Sequence, residues 1–379
     1  MKATQYYPFV LSFLLILFGC RDGLIIPSNQ NNELQLEGFY PGLDIKKMYH
    51  QNHILVLQEN WDRDRKRPIQ LFDTDAEQRL RTIPDLHGQL ISVRNRKIYV
   101  LGSTHNINIG PEKVDIILEE FDFEGNQIRA LSKENSCINN KYRLQNGHLA
   151  DVDQKGNLWM AVGKADPSFV YEGILQFDLE NNTCSIWNTN NSSLTSNEVS
   201  RLIIFNDQLY VVLKLSSSKR YELFQFKNGD FESLLKTEPS EFAFAGPFFD
   251  AEGNIIYGQR SSEGTFLKDL DGKEKSIGSD ESIDLIPHYY MDSRGNEYIV
   301  GTEQVLVPYR GYAPTITAAS FLSRNGKVYA SLDMEGNPFY GTERMFINAL
   351  YVNPNKTSSL WIANGMEGHK LGGLVKITF

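Results

Sequence analysis

Local catalytic and metal motifs are what this 379-residue chain has least of. Its candidate histidines are scattered at long spacing with no His-x-x-x-His pair or other local ligand motif, so no metal site is announced locally. It has no Gly-x-Ser-x-Gly, no phosphate-cradling glycine loop and no cysteine in a catalytic context, which leaves nucleophilic catalysis without support. Positive charge is in the minority, 38 Lys and Arg against 47 Asp and Glu, for a net charge of −9. That balance argues against a nucleic-acid binder, which relies on clustered cations. The basic run Arg63-Asp64-Arg65-Lys66-Arg67 is interrupted by aspartate and reads as a solvated loop. Acidic neighbours such as Asp62 and Asp64, or Asp284 near His288, are too ordinary in an acidic chain to mark a glycosidase pair. With 41% hydrophobic and 22% charged residues the chain can bury an ample core and is not a disordered segment.

What the sequence does contain is a repeat. A turn followed by a β-branched and aromatic run recurs seven times, most legibly as Gly156-Asn157-Leu158-Trp159-Met160-Ala161-Val162-Gly163 and Gly295-Asn296-Glu297-Tyr298-Ile299-Val300-Gly301. Apolar residues before each turn make the unit a hairpin. Six copies are followed by a second hairpin, as at Glu120 to Leu131 or Gln225 to Leu234. Six steps from Val56 to Trp361 cover 305 residues, about 51 per repeat. This predicts an all-β, seven-bladed β-propeller of four-stranded antiparallel blades. A six-bladed ring, with one pair of segments as insertions, is the alternative. Gly326-Lys327-Val328-Tyr329 mimics an inner hairpin but would crowd four strands into about 31 residues, so it is assigned to an outer hairpin. The seventh repeat lacks its outer strand. The alternating stretch Glu33-Leu34-Gln35-Leu36-Glu37 is expected to supply it and close the ring, leaving no exposed edge.

The first residues carry an address. Lys2 precedes an apolar stretch from Phe9 to Phe18, shorter than the roughly 20 residues that span a bilayer, and then Leu17-Phe18-Gly19-Cys20. This resembles a bacterial lipoprotein signal peptide, with Cys20 as the lipidated first residue of the mature chain. The expected organisation is a signal peptide at 1–19, a tether at 20–32 and the propeller at 33–379. The implied location is a bacterial cell envelope, the outer membrane in particular, and the composition suits a Bacteroidota-type envelope protein. Cys137 and Cys184 fall in the outer parts of adjacent repeats; a bridge and two separate thiols are both open.

Asp153-Gln154-Lys155-Gly156-Asn157-Leu158-Trp159, then Gly173-Ile174-Leu175-Gln176-Phe177-Asp178 and Asn191 to Val199, resembles the propeller repeat of bacterial two-component-regulator sensor proteins. Ser359-Leu360-Trp361-Ile362-Ala363 with Gly372-Gly373-Leu374 repeats the outline, so about one and a half blades match closely. The sequence shows no membrane span after the repeats and no kinase segment. The resemblance therefore implies extracytoplasmic ligand sensing or binding and not phosphotransfer.

Loops entering the first strand of each blade, and those joining second to third strands, form the ligand face of a propeller. His87, His148 and His288 are expected near first-strand starts in blades two, three and six, and His105 and His369 in second-to-third-strand loops. Convergent imidazoles could hold a divalent metal, with His87, His148 and His288 as candidate ligands, as in the metal-dependent polysaccharide lyases built on seven-bladed propellers. Tyr309, Arg310 and Tyr312, in a long loop of blade six, could stack on a sugar and bind its carboxylate; simple loop packing is the favoured reading. The leading expectation is a binding propeller with no cofactor and no catalysis, taking a glycan or an envelope protein partner and reaching the membrane through its lipid. A metal-assisted polysaccharide lyase or hydrolase and a structural subunit of an envelope complex are the alternatives.

Overall fold

A computed structural model describes residues 23–27, 35–40, 43–60, 66–84, 86–102, 116–132, 134–138, 142–144, 149–164, 170–216, 218–237, 244–250, 252–261, 264–275, 283–292, 294–307, 315–329, 347–353, 355–356, 358–364 and 373–379. These residues form strands and turns in seven sheets, with no helix among them. Blade one runs from Ile45–Gln51 through Ile54–Glu59 and Ile69–Asp73 to Gln78–Ile83, and blade two from Gln89–Arg94 through Lys97–Leu101 and Ile116–Asp122 to Gln127–Ser132. Blade three starts at Ala150–Val152 and ends at Thr183–Trp187, and blade four at Val199–Phe205 and Asp230–Lys236. Blade five runs from Phe244–Phe249 to Glu274–Lys275, and blade six from Ile283–Met291 to Lys327–Tyr329. The first strand of every blade touches that of the next, and Ile347–Val352 of blade seven touches Ile45–Gln51 of blade one. That circuit makes a seven-bladed ring with the first strands around its axis, and the six-bladed alternative falls.

Blade seven is built from both ends of the chain. Ile347–Val352, Ser359–Asn364 and Gly373–Thr378 are completed by Gln35–Phe39, which pairs antiparallel from Gln35 opposite Thr378 to Phe39 opposite Leu374. The closing strand expected at Glu33 to Glu37 is thus present, two residues further on. Gly23–Pro27 adds a fifth strand outside it, inside the stretch read from sequence as tether. Lys327–Tyr329 pairs back onto Thr315–Arg324 and forms the outer hairpin of blade six, as its spacing required.

There is no single central core. Seven apolar clusters each fill one interface between neighbouring blades, because successive strand residues point to opposite faces and each face meets a different blade. In blade three Leu158, Met160 and Val162 pack toward blade two, while Trp159 and Ala161 pack toward blade four. In blade four Val211 and Leu213 face blade three, and Tyr210 and Val212 face blade five. A second strand buried on both sides must be apolar throughout, which is why these runs were conspicuous in the sequence.

The recurring turn is held by a carboxylate. Asp153, Asp250 and Asp292 each accept, at Oδ1, the backbone N–H of the asparagine four residues on, at 2.8, 2.7 and 2.9 Å. Oδ2 accepts the same asparagine's side-chain amide at 2.8, 3.0 and 2.9 Å. The aromatic six residues after the aspartate completes the arrangement in two blades: Trp159 Nε1 donates to Asp153 at 3.0 Å and the Tyr298 hydroxyl to Asp292 at 3.3 Å. Burial by itself would raise Asp292, but the donors around it outweigh burial and hold the carboxyl below its usual range. The spacing Asp-x-x-Gly-Asn-x-aromatic is therefore one hydrogen-bonded unit, with a left-handed residue at Gly156 and Gly295 that glycine adopts at no steric cost.

Candidate functional site

Inverted charge marks the axis of this acidic protein. Across the seven first strands the sequence places four cations, Lys46, Lys47, Arg94 and Arg201, against two carboxylates, Asp151 and Asp284. Arg94, the last residue of its strand, lies with its Nη2 3.8 Å from Asp151 Oδ2 and donates to the Ile204 carbonyl at 2.8 Å. Asp151 in turn accepts the N–H groups of Val152 at 2.8 Å and Ile204 at 3.0 Å, and the Ser92 hydroxyl. Its lone pairs are thus spent on blades two, three and four. Burial raises the Asp151 carboxyl above its ordinary value, with Arg94 pulling the other way.

Blade one contributes the rest. Burial raises the Tyr49 phenol, and the Asp151 charge adds to the effect, so the hydroxyl is neutral. His50 is lowered to about 4, first by desolvation and then by Arg94, and is a neutral imidazole at pH 7. Its ring sits 4.5 Å from that of Tyr351 in blade seven. His50 is exposed at its side chain, while the strands crowded around it and the Arg94 charge disfavour its protonated form. Lys47 is lowered to about 8 by burial and by the charge of Arg67, with Asp151 opposing. Arg67, the end of the basic run read as a solvated loop, is itself lowered to about 10 by burial. Arg201 is lowered by burial as well, though its side chain is exposed.

The Lys47 shift has a signed consequence. Between about 8 and 10.5 the folded chain binds fewer protons at Lys47 than the unfolded chain, so the penalty is complete below pH 8 and vanishes as pH rises through 10.5. Lys47→Met should therefore melt above wild type at pH 7, and the difference should shrink by pH 9.5. Melting curves of both proteins across that range check it; a gap that stays constant would refute the assignment.

The histidines chosen from sequence do not define this site. His87 precedes the first strand of blade two, as expected, and is partly buried. His288 lies beyond the midpoint of Ile283–Met291, with Val300 as its partner, and not at the strand's entry. His105, His148, His369, Tyr309, Arg310 and Tyr312, like Cys20, lie outside the described residues. Among the described residues no group of three or more His, Cys, Asp or Glu is arranged to hold a metal ion. Lys47, His50, Arg94 and Asp151 were missed because loops were searched for chemistry and strands were not; the signal was ionisable residues inside strands next to the axis.

A depression of about 350 Å³ opens on the turn face where blades six, seven and one meet, beside Glu77, Arg294, Lys356 and Lys376. Two of its cations are already engaged. Lys376 Nζ lies 2.7 Å from Glu77 and 3.6 Å from Glu37, and Lys356 Nζ donates to the Asp75 carbonyl at 2.6 Å.

The described architecture defines the class of protein, a closed β-propeller. No family model and no curated protein matches the chain. Among solved structures it is similar to the β-propeller domain of the Trilobed protease from Pyrococcus furiosus, with TM-score 0.51 and 13% identity over 89% of this chain and 94% of that one. It is also similar to YCF48 bound to a D1 peptide, with TM-score 0.52 and 12% identity over 93% and 99% of the two chains. The extracellular domain assigned to a hybrid two-component system of B. thetaiotaomicron matches with TM-score 0.50 and 11% identity, over 91% of this chain and 39% of that one. The likeness to two-component sensors read from the repeats is thus present at the level of fold. At such identities the fold is what is shared, and propellers host binders and enzymes alike.

Proposed function

We propose that this chain is a ligand-binding propeller of a bacterial cell envelope, held at the outer membrane by a lipid on Cys20, which takes up a glycan or a protein partner and catalyses no reaction. The observation that carries the binding reading is the set of ionisable groups gathered from separate blades onto the axis, with His50 and Arg201 accessible there. Arg94 and Asp151 are occupied in tying blades two, three and four together, whereas His50 and Arg201 are left accessible, and convergent polar side chains are a usual mark of a binding site. A neighbour of the same fold was solved with a peptide bound, which makes a protein partner reasonable here. The lipobox-like Leu17-Phe18-Gly19-Cys20 supports the anchor.

The test is a binding screen of residues 21–379 against neutral and acidic oligosaccharides and envelope peptides, with product formation followed in the same wells. Saturable binding without product is the expected result. Cleavage of an oligosaccharide would replace this reading with the lyase or hydrolase one, and no saturable binding at all would favour a structural subunit.

A further inference from the structure

The proposed anchor leaves the ring almost no slack. The lipid-bearing cysteine is residue 20, and the strand Gly23–Pro27 begins three residues later. That strand pairs along its whole length with Gln35–Phe39, from Gly23 opposite Phe39 to Pro27 opposite Gln35, and is the outermost strand of blade seven. Three residue steps reach at most about 10 Å. A free tether across 20–32 would wander by roughly 20 Å and leave the ring with no fixed attitude. The lipid is therefore held close to the rim of blade seven.

The rim there differs from its neighbours. Gly-Leu-Ile-Ile-Pro holds no charge, whereas the outermost strands of blades one, two and four, Gln78–Ile83, Gln127–Ser132 and Asp230–Lys236, each carry Arg, Lys, Asp or Glu. Among the described residues no further strand pairs outside Gly23–Pro27, and an uncharged apolar strand at a sheet edge invites association unless something covers it. On adjacent blade one, Arg81 lies opposite Leu71 and Arg79 opposite Phe72, so Leu80 between them is the extra residue of a β-bulge. A bulge re-aims its side chain, and Leu80 is 45% exposed. Arg79 stacks over the Tyr40 ring at 5.5 Å and Arg81 donates to the Glu124 carbonyl, contacts that leave both positive charges in place. A leucine between two guanidinium groups suits the boundary between acyl chains and headgroup phosphates.

We propose that the rim of blades seven and one, from Gly23–Pro27 to Gln78–Ile83, is a membrane-facing surface that sets the propeller edge-on against a phospholipid bilayer, with the ring axis parallel to the membrane plane. This rests on the lipid at Cys20 in the reading above and adds the attitude of the ring. The bilayer covers the apolar edge, and both ends of the axis stay open to a ligand. Blade four, across the ring from the junction of blades seven and one, points away from the membrane.

The full chain, matured in a bacterial host that processes lipoproteins, tests this in vesicles of phosphatidylethanolamine and phosphatidylglycerol that contain a lipid spin-labelled at its headgroup. Ile25→Cys, Leu80→Cys and Glu232→Cys each receive a thiol-linked fluorophore, and the intact mass reports whether Cys20 is acylated. Cys137 and Cys184 are joined and do not compete for the label. Quenching at positions 25 and 80 should exceed that at 232 several-fold. Should Leu80→Cys fold poorly, Gln78→Cys on the same strand takes its place. With Cys20 acylated, equal quenching at all three positions, or quenching at 25 without 80, would overturn the edge-on attitude and leave the lipid anchor standing. An unacylated Cys20 would overturn the anchor and the attitude together.

Discussion

A chain beginning at residue 41 is expected to melt at least 5–10 °C below one that keeps residues 33–40, and to unfold less cooperatively. The deleted segment supplies the fourth strand of blade seven, paired along its whole length with Gly373–Thr378. Its anchor is Phe39, 2% exposed, whose ring lies 5.3 Å from Phe72 of blade one and 5.2 Å from Trp361 of blade seven. Truncating a buried phenylalanine to alanine costs about 3–5 kcal/mol. In a domain of this length each kcal/mol moves Tm by roughly 1–2 °C, from the scaling of unfolding entropy with chain length. Phe39→Ala alone should thus lower Tm by roughly 4–8 °C, and deletion should exceed it by adding the lost ladder and a bare strand edge. The ion pair of Lys376 with Glu37 adds little to the sum, because partly exposed pairs are worth about 0–1 kcal/mol. Differential scanning calorimetry of the three proteins decides the matter. An unchanged Tm on deletion would mean that the N-terminal strand does not hold the ring shut.

The second large effect is expected from removing a covalent link. Cys137 and Cys184 form a disulfide, with Cα atoms 5.8 Å apart and a sequence separation of 47. It ties the outer strand of blade three, Thr183–Trp187, to the connection leading in from blade two, and both cysteines pack against the cluster between those blades. In the chain-entropy treatment a closed loop of this length contributes about 4 kcal/mol, and measured values run from about 2 to 5. The Cys137→Ser, Cys184→Ser double variant should therefore melt several degrees lower than oxidised wild type, by the scaling used above. Reduced wild type should fall to about the same temperature, and reductant should leave the double variant unmoved. Equal melting of oxidised and reduced wild type would contradict the link. Sequence left bridge and free thiols open because pairing depends on the approach of two blades, which no local spacing encodes.

The same distinction separates what could be read from the chain from what could not. Runs such as Leu158 to Val162 were legible because burial on both sides removes polar residues from a second strand. Outer strands such as Gln78–Ile83, exposed except at Ile83, were placed only through their turns. The closing strand was found from its alternation but set two residues early, since the pattern at Glu33 to Glu37 does not reveal that Phe39 is the anchor. The axial site was not legible at all. Arg94, Asp151 and Ile204 meet across separations of 57 and 53 residues, and what joins them is the circuit of first strands, not any motif.

A ring joined at blade seven also imposes an order on biosynthesis. Leu36 and Ile377 are partners, so the earlier strand waits for one translated 341 positions later. At about 5–20 residues per second, the 340 residues between them take about 20–70 s to emerge. Six blades are each encoded by one continuous stretch of chain and can form within that interval, while the seventh presents an unpaired edge throughout. A nascent chain stalled before residue 373 would therefore be an open arc of six finished blades, and emergence of Gly373–Thr378 from the ribosome is the event that turns the arc into a ring.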